Sequence, residues 1–259
     1  MPMLDRPCSR INYQVSGSGS PAVLLSHGFG ATSAMFAANV PAIAAGHQVI
    51  TWDLRGHGSS DSPADPECYG AAEALDDMAE LLTACGQERA VLGGQSLGGY
   101  LSLDFALTFP DRVAALVLID TGPGFRNDAA RDRWNDRSIG TAQRFADRGL
   151  AALGSGAEVR GSQHRDANGL ALAARHTLTQ RDSHVLDGLP RIAVPTLVIV
   201  GSEDEPFLGA ADYMTAKIPL ARKVVIPGAG HAANVDEPEL VNSALLGFLA
   251  ETSAVEGRV

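Results

Sequence analysis

Short apolar runs bounded by turn residues recur along the chain at 22–26, 47–53, 90–93, 113–120 and 196–201. Their length and β-branched content suit buried strands. Helix-like stretches lie between them. One spans 71–85, with Leu75, Met78, Ala79 and Leu82 at helical spacing, and another spans 97–109, stopping before Pro110. A further strand at 223–226 precedes a C-terminal helix at 238–250. Alternation of this kind predicts an α/β fold, with a mostly parallel central sheet flanked by helices.

The rhythm breaks between 121 and 190, where polar, Arg-rich, helix-like segments at 128–137 and 170–177 replace strands. We read 121–190 as a helical insertion above the sheet, and 1–120 with 191–259 as the body. No internal repeat is present. The Ser/Gly run at 16–20 reads as a turn between the first strands, and the tail after Thr252 is expected to fray.

Composition narrows the classes available. A chain of 259 residues that is 45% hydrophobic and 19% charged can bury one enzyme-sized core. Its net charge of −10 disfavours nucleic acid, because phosphate binding needs clustered cations. The insertion differs, with ten Arg against eight Asp plus Glu. Arg131, Arg133, Arg137, Arg144 and Arg148 alternate with Asp128, Asp132, Asp136 and Asp147, as solvated helices with local ion pairs do. If any of these Arg lined a substrate pocket, substrates bearing a carboxylate would be preferred. Cys8, Cys68 and Cys85 are odd in number and lack CxxC spacing, so they read as reduced thiols, with neither a disulfide framework nor a zinc site. No apolar stretch has signal-peptide or transmembrane length, so a cytoplasmic location without a membrane partner is expected.

The chemistry centres on Gly94-Gln95-Ser96-Leu97-Gly98-Gly99, which follows the strand at 90–93 and opens the helix at 97. This is GxSxG in strand-turn-helix context. A Cβ at Gly94 or Gly98 would crowd the neighbouring strand and helix, so the tight turn needs glycine there. Ser96 would project at the strand's C-terminal edge, against a helix N-terminus that favours negative charge. The competing reading is a serine that merely caps the helix.

A serine hydroxyl needs a base, and the chain has seven histidines. His164, His176 and His184 fall in the insertion, His27 and His57 in glycine-flanked turns, and His47 at a strand start. His231 lies in a loop after the strand at 223–226, where a triad base belongs. For the acid that orients it, the segment Gly201-Ser202-Glu203-Asp204-Glu205 follows the strand at 196–201, and Asp204 is our choice. Glu203 and Glu205 compete, and Asp120 is a further alternative. Donors for a developing oxyanion would be the backbone N–H groups of Phe29 and Leu97. His27 is read as holding its loop by hydrogen bonding, with no part in the chemistry.

Together with Ser26-His27-Gly28-Phe29-Gly30 and Asp53-Leu54-Arg55-Gly56-His57-Gly58-Ser59-Ser60, these motifs resemble the α/β-hydrolase superfamily over about nine-tenths of the chain. The resemblance implies an α/β-hydrolase fold, a helical cap at 121–190, Asp204 as the acid, Phe29 and Leu97 as oxyanion donors, and a structural role for 53–60. The segment 228–238 is similar to that of esterases and enol-lactonases. The implied activity is cofactor-independent cleavage of a small-molecule carboxylic ester or lactone through Ser96, His231 and Asp204. Ser96 in place of an aspartate argues against the dehalogenase and epoxide hydrolase branches. Carbon-carbon bond hydrolases usually carry a bulky aromatic after the histidine, where this chain has Ala232 and Ala233, so that branch is disfavoured. A small-ligand receptor with a retained triad is the alternative from another class.

Overall fold

The computed structural model describes residues 2–256, and side chains as far as 252. Strands β1 (Met3–Arg6) and β2 (Ser9–Ser16) form an antiparallel hairpin, and β2 pairs antiparallel with β4 (Val49–Trp52). Beyond β4 the sheet is parallel through β3 (Ala22–Ser26), β5 (Ala90–Gln95), β6 (Val113–Ile119), β7 (Thr196–Gly201) and β8 (Ala221–Ile226). The full order is β1-β2-β4-β3-β5-β6-β7-β8. Because β3 lies between β4 and β5, the chain reverses its direction of travel across the sheet at β3/β5. In open α/β sheets a crevice forms at the C-terminal ends of the strands at such a point.

Alternate residues of the central strands enter two cores. Leu24, Leu92, Leu116 and Leu118 face one side, and Val23, Leu25, Val91 and Val117 the other. The first core is covered by α2 (Ala71–Ala84) and α3 (Leu97–Thr108), through Leu75, Met78, Leu82 and Leu101. The second is covered by α1 (Val40–Ala44) and by Val241, Leu245 and Phe248 of the C-terminal helix. Covered faces explain why these strands read as continuous apolar runs.

The turn at 53–60 is a brace. Arg55 makes a bidentate pair with Asp77 of α2 at 2.7 and 2.8 Å, and Asp77 also pairs with Arg6 at 2.9 Å. Asp53 accepts hydrogen bonds from Asn12, Ser33 and Ser59. Each oxygen of the two buried carboxylates has a partner, which offsets the cost of burying their charge.

Between β6 and β7 lie three helices, α4 (Asp128–Arg148), α5 (Ala167–His176) and α6 (His184–Gly188). Helices α4 and α5 pack through a small core of Ala142, Phe145, Leu170, Ala171 and Ala174. After β7 come α7 (Glu205–Lys217), α8 (Ala233–Asp236) and α9 (Pro238–Glu256). Helix α9 continues past Thr252 to Glu256, so the fraying expected there does not begin at that residue. No helix among the described residues is long and apolar enough to cross a membrane.

The reading of the cysteines as free thiols is corrected. Cys8, in the β1–β2 turn, is bonded to Cys68 with a Cα–Cα distance of 6.3 Å, and only Cys85 is free. Sixty residues separate the pair, and it is the packing of the hairpin on the segment before α2 that brings them together. Sequence spacing carries no trace of such a contact.

Candidate active site

Ser96 occupies the turn between β5 and α3 with φ 51° and ψ −114°, a left-handed conformation costly for any residue with a Cβ. The glycines around it make the turn feasible. A Cβ on Gly94 would overlap the backbone of Gly98, and one on Gly98 would overlap the Ser26 carbonyl. The strain is held by the Ser96 N–H, which donates to Ile119 O at 3.0 Å, and by the Thr121 hydroxyl, which donates to Ser96 O at 2.6 Å.

His231 is brought from the loop after β8, with its Nε2 3.1 Å from Ser96 Oγ and its Nδ1 2.9 Å from Asp204 Oδ2. The Gln95 amide donates to the His231 carbonyl, and Phe207 of α7 stacks on the imidazole with ring centroids 4.6 Å apart. Burial works against the imidazolium. The hydrogen bond and charge of Asp204, with Asp120 and Glu158 adding, outweigh it and hold His231 above its ordinary pKa.

Of the four candidate acids, Asp204 alone meets the histidine. It is 4% exposed at the end of β7, whereas Glu203 and Glu205 point into solvent. Asp120 is buried nearby, but its two oxygens accept from the backbone N–H groups of Gly201 at 2.8 Å and Ala233 at 2.7 Å. Burial pushes its carboxyl up to about 6, against the pull of those two N–H groups. Asp120 therefore ties the loops that carry Asp204 and His231 to the end of β6.

The loop after β3 passes close to Ser96: a Cβ on Gly28 would lie 3.3 Å from Ser96 Cβ. Among the described residues, the backbone N–H groups of Phe29 and Leu97 have no hydrogen-bond partner. Three imidazoles fix this loop. His27 Nδ1–H donates to Gly28 O at 2.7 Å and its Nε2 accepts from the Leu54 N–H at 3.0 Å. His57 Nε2 accepts from the Gly30 N–H at 3.1 Å. His164, from the segment after α4, donates to Gly30 O at 2.8 Å and accepts from the Gly58 N–H at 3.0 Å. The expected bracing by His27 is present. The parts of His57 and His164 had no sequence signal beyond residue type.

Each of these rings accepts a backbone N–H, so each must stay neutral. Burial lowers all three pKa values, that of His27 to about 4. A histidine depressed in the folded state contributes stability that is complete above its unfolded pKa near 6.5 and is lost as pH falls toward the folded value. For His27 the loss is on the order of 3 kcal/mol. The urea midpoint should therefore drop between about pH 6.5 and 4, and His27→Gln should flatten that slope. An unchanged slope in the variant would show that His27 is not protonated on unfolding in this range.

Above Ser96 is a cavity of about 310 Å³, walled largely by apolar groups that include Leu97, Phe125, Trp134, Leu178 and Phe207. Phe29 packs edge-on against Phe145 of the α4–α5 core, centroids 6.1 Å apart, so the helices over the site rest on the loop that bears a free N–H. A second cavity of about 320 Å³, around Asp104, His176 and His184, shares Tyr100 with the first but does not contain Ser96.

This architecture is met in known proteins. The chain is 28% identical to the putative 2-succinyl-6-hydroxy-2,4-cyclohexadiene-1-carboxylate synthase of Bacillus subtilis, over 92% of this chain and 95% of that protein. It is 30% identical to the 2-(acetamidomethylene)succinate hydrolase of Mesorhizobium japonicum, over 92% of this chain and 91% of that protein. Among solved structures, a thermophilic esterase from Thermogutta terrifontis, malate bound, superposes with a TM-score of 0.77 at 28% identity, covering 94% of each chain. A family model described as alpha/beta hydrolase fold matches residues 21–156. On these matches, and with its sheet order and strand-turn-helix serine, the chain belongs to the α/β-hydrolase family.

Proposed function

We propose that the protein is a serine hydrolase of carboxylic esters or lactones. The observation that carries this reading is the unbroken hydrogen-bond chain from Ser96 through His231 to Asp204, opening on a cavity beside two unpartnered N–H groups. Ser96 Oγ bonds to the substrate carbonyl carbon as its proton passes to His231 Nε2. The oxyanion formed is held by the N–H groups of Phe29 and Leu97, in a site partly closed to water. Collapse breaks the bond to the alkoxy group, which takes the proton from His231 and leaves an acyl-enzyme. Water then gives a proton to His231 and attacks the acyl carbon, releasing the acid and restoring Ser96. Asp204 keeps the Nδ1–H tautomer and stabilises the imidazolium throughout. Relatives named as a hydrolase and an esterase support the class of reaction.

One observation favours a second reading. Phe207 stacks on His231 and supplies, from α7, the aromatic surface that is missing from the sequence just after the histidine. Carbon-carbon bond hydrolysis therefore belongs in the test. A panel of esters, lactones and β-diketones, assayed with wild type and Ser96→Ala, should show Ser96-dependent turnover confined to the esters or lactones. Turnover of the diketones alone would favour the second reading, and a single slow turnover with a change in cap mobility would favour a receptor.

A further inference from the structure

The cavity over Ser96 carries a charge that catalysis does not use. Among the described residues, Arg137 of α4 is the only formally charged one lining it, and no Asp or Glu does so, in a chain whose net charge is −10. Its neighbours one helical turn away, Arg133, Trp134, Gly140 and Thr141, include no carboxylate. Among the described residues the Arg137 guanidinium makes no hydrogen bond or ion pair, whereas Arg126 and Arg131 pair with Asp187 and Asp128 and Arg144 bonds Thr141.

Gln180 lines the same cavity and is 9% exposed. Its main chain is locked to α4 by a reciprocal pair with Asn135, both bonds 2.8 Å. Its side-chain amide is left over. Oε1 is buried without a partner, and among the described residues Nε2 donates to no protein group. Oε1 is an acceptor that an ionised carboxylate cannot satisfy, so it is the Nε2 donors that Gln180 offers a ligand at this wall. A guanidinium and amide N–H donors without protein partners thus line one cavity, a donor set that matches the lone pairs of a carboxylate. Phe125, Trp134 and Phe207 offer the apolar wall along which an alkyl chain would lie.

We propose that Arg137 and Gln180 form a carboxylate subsite, and that the acyl group cleaved at Ser96 ends in a free carboxylate. This rests on the hydrolase reading of Ser96. It selects one of the five arginines whose spacing alone could not distinguish pocket from surface. Arg137 is itself exposed, so the attraction is open to screening by salt.

The test compares monomethyl esters of succinate, glutarate and adipate with methyl esters of the neutral acids of equal chain length. Calorimetric titration with the three free dicarboxylates runs alongside. At low ionic strength kcat/KM should favour the charged member of at least one pair by about tenfold, the scale of a charge-assisted hydrogen bond. That ratio should shrink in added salt and in Arg137→Gln, recover in part in Arg137→Lys, and stay unmoved in Arg144→Gln. Gln180→Leu should lower it too. Equal kcat/KM for every pair, or a ratio indifferent to Arg137→Gln, overturns the subsite. Dicarboxylate binding that depends on Arg137, without hydrolysis of any ester, would uphold the subsite and remove the hydrolase reading instead.

Discussion

Replacing Ser96 by Ala should lower kcat by about 10⁶-fold and leave the fold intact. The side-chain oxygen removed has one partner, His231 Nε2, and the strained turn is held by backbone bonds and by Thr121, none of which involve Oγ. The His231–Asp204 pair therefore survives without its nucleophile. The oxyanion donors and the cavity also survive, so residual catalysis of about 10³-fold over water would be unsurprising. Steady-state rates with purified protein check this, alongside a melting curve. Turnover near the wild-type level in Ser96→Ala would remove the nucleophile assignment.

Asp204→Asn is expected to slow turnover by about 10⁴-fold, with substrate binding retained. An amide can point its NH₂ at Nδ1, which then becomes the acceptor and leaves the proton on Nε2, facing Ser96 with the wrong polarity. Asp120→Asn should act differently. Its carboxylate accepts two backbone N–H groups on two loops, and an amide can accept only at its one oxygen, so one loop would face an N–H against N–H clash. The expected result is a lower melting temperature, with kcat lost only as far as His231 drifts. Exposed Glu203 and Glu205 should tolerate Gln. A severe rate loss in Asp120→Asn with an unchanged melting curve, next to a mild Asp204→Asn, would move the acid to the end of β6.

These contrasts follow how legible each part was in the sequence. Strands 22–26 and 196–201 match their predicted bounds because turn residues bracket a fully buried apolar run. Ser96, Asp204 and His231 were readable because each follows a strand end, and glycines beside Ser96 and His231 announce a tight backbone. Helix α4 extends to Arg148, beyond the 128–137 read from sequence, because its exposed Arg/Asp face shows little apolar periodicity and Ala142 and Phe145 are its few buried marks. Helix α7 went unread. It buries only Ala211 and Met214, too few to set a period. Contacts made across the fold left no local signal at all: the Cys8–Cys68 bond, the His164 bridge to Gly30, and the choice of Arg137 from its neighbours.

The central claim, that Ser96 is an activated nucleophile, is tested most directly by covalent trapping. Wild-type protein incubated with a fluorophosphonate should gain one adduct by intact mass, and peptide mapping should place it on Ser96. Labelling should slow as the pH is lowered and His231 takes up a proton. Failure to label at neutral pH, or an adduct on another serine in a protein that still turns over, would contradict the account.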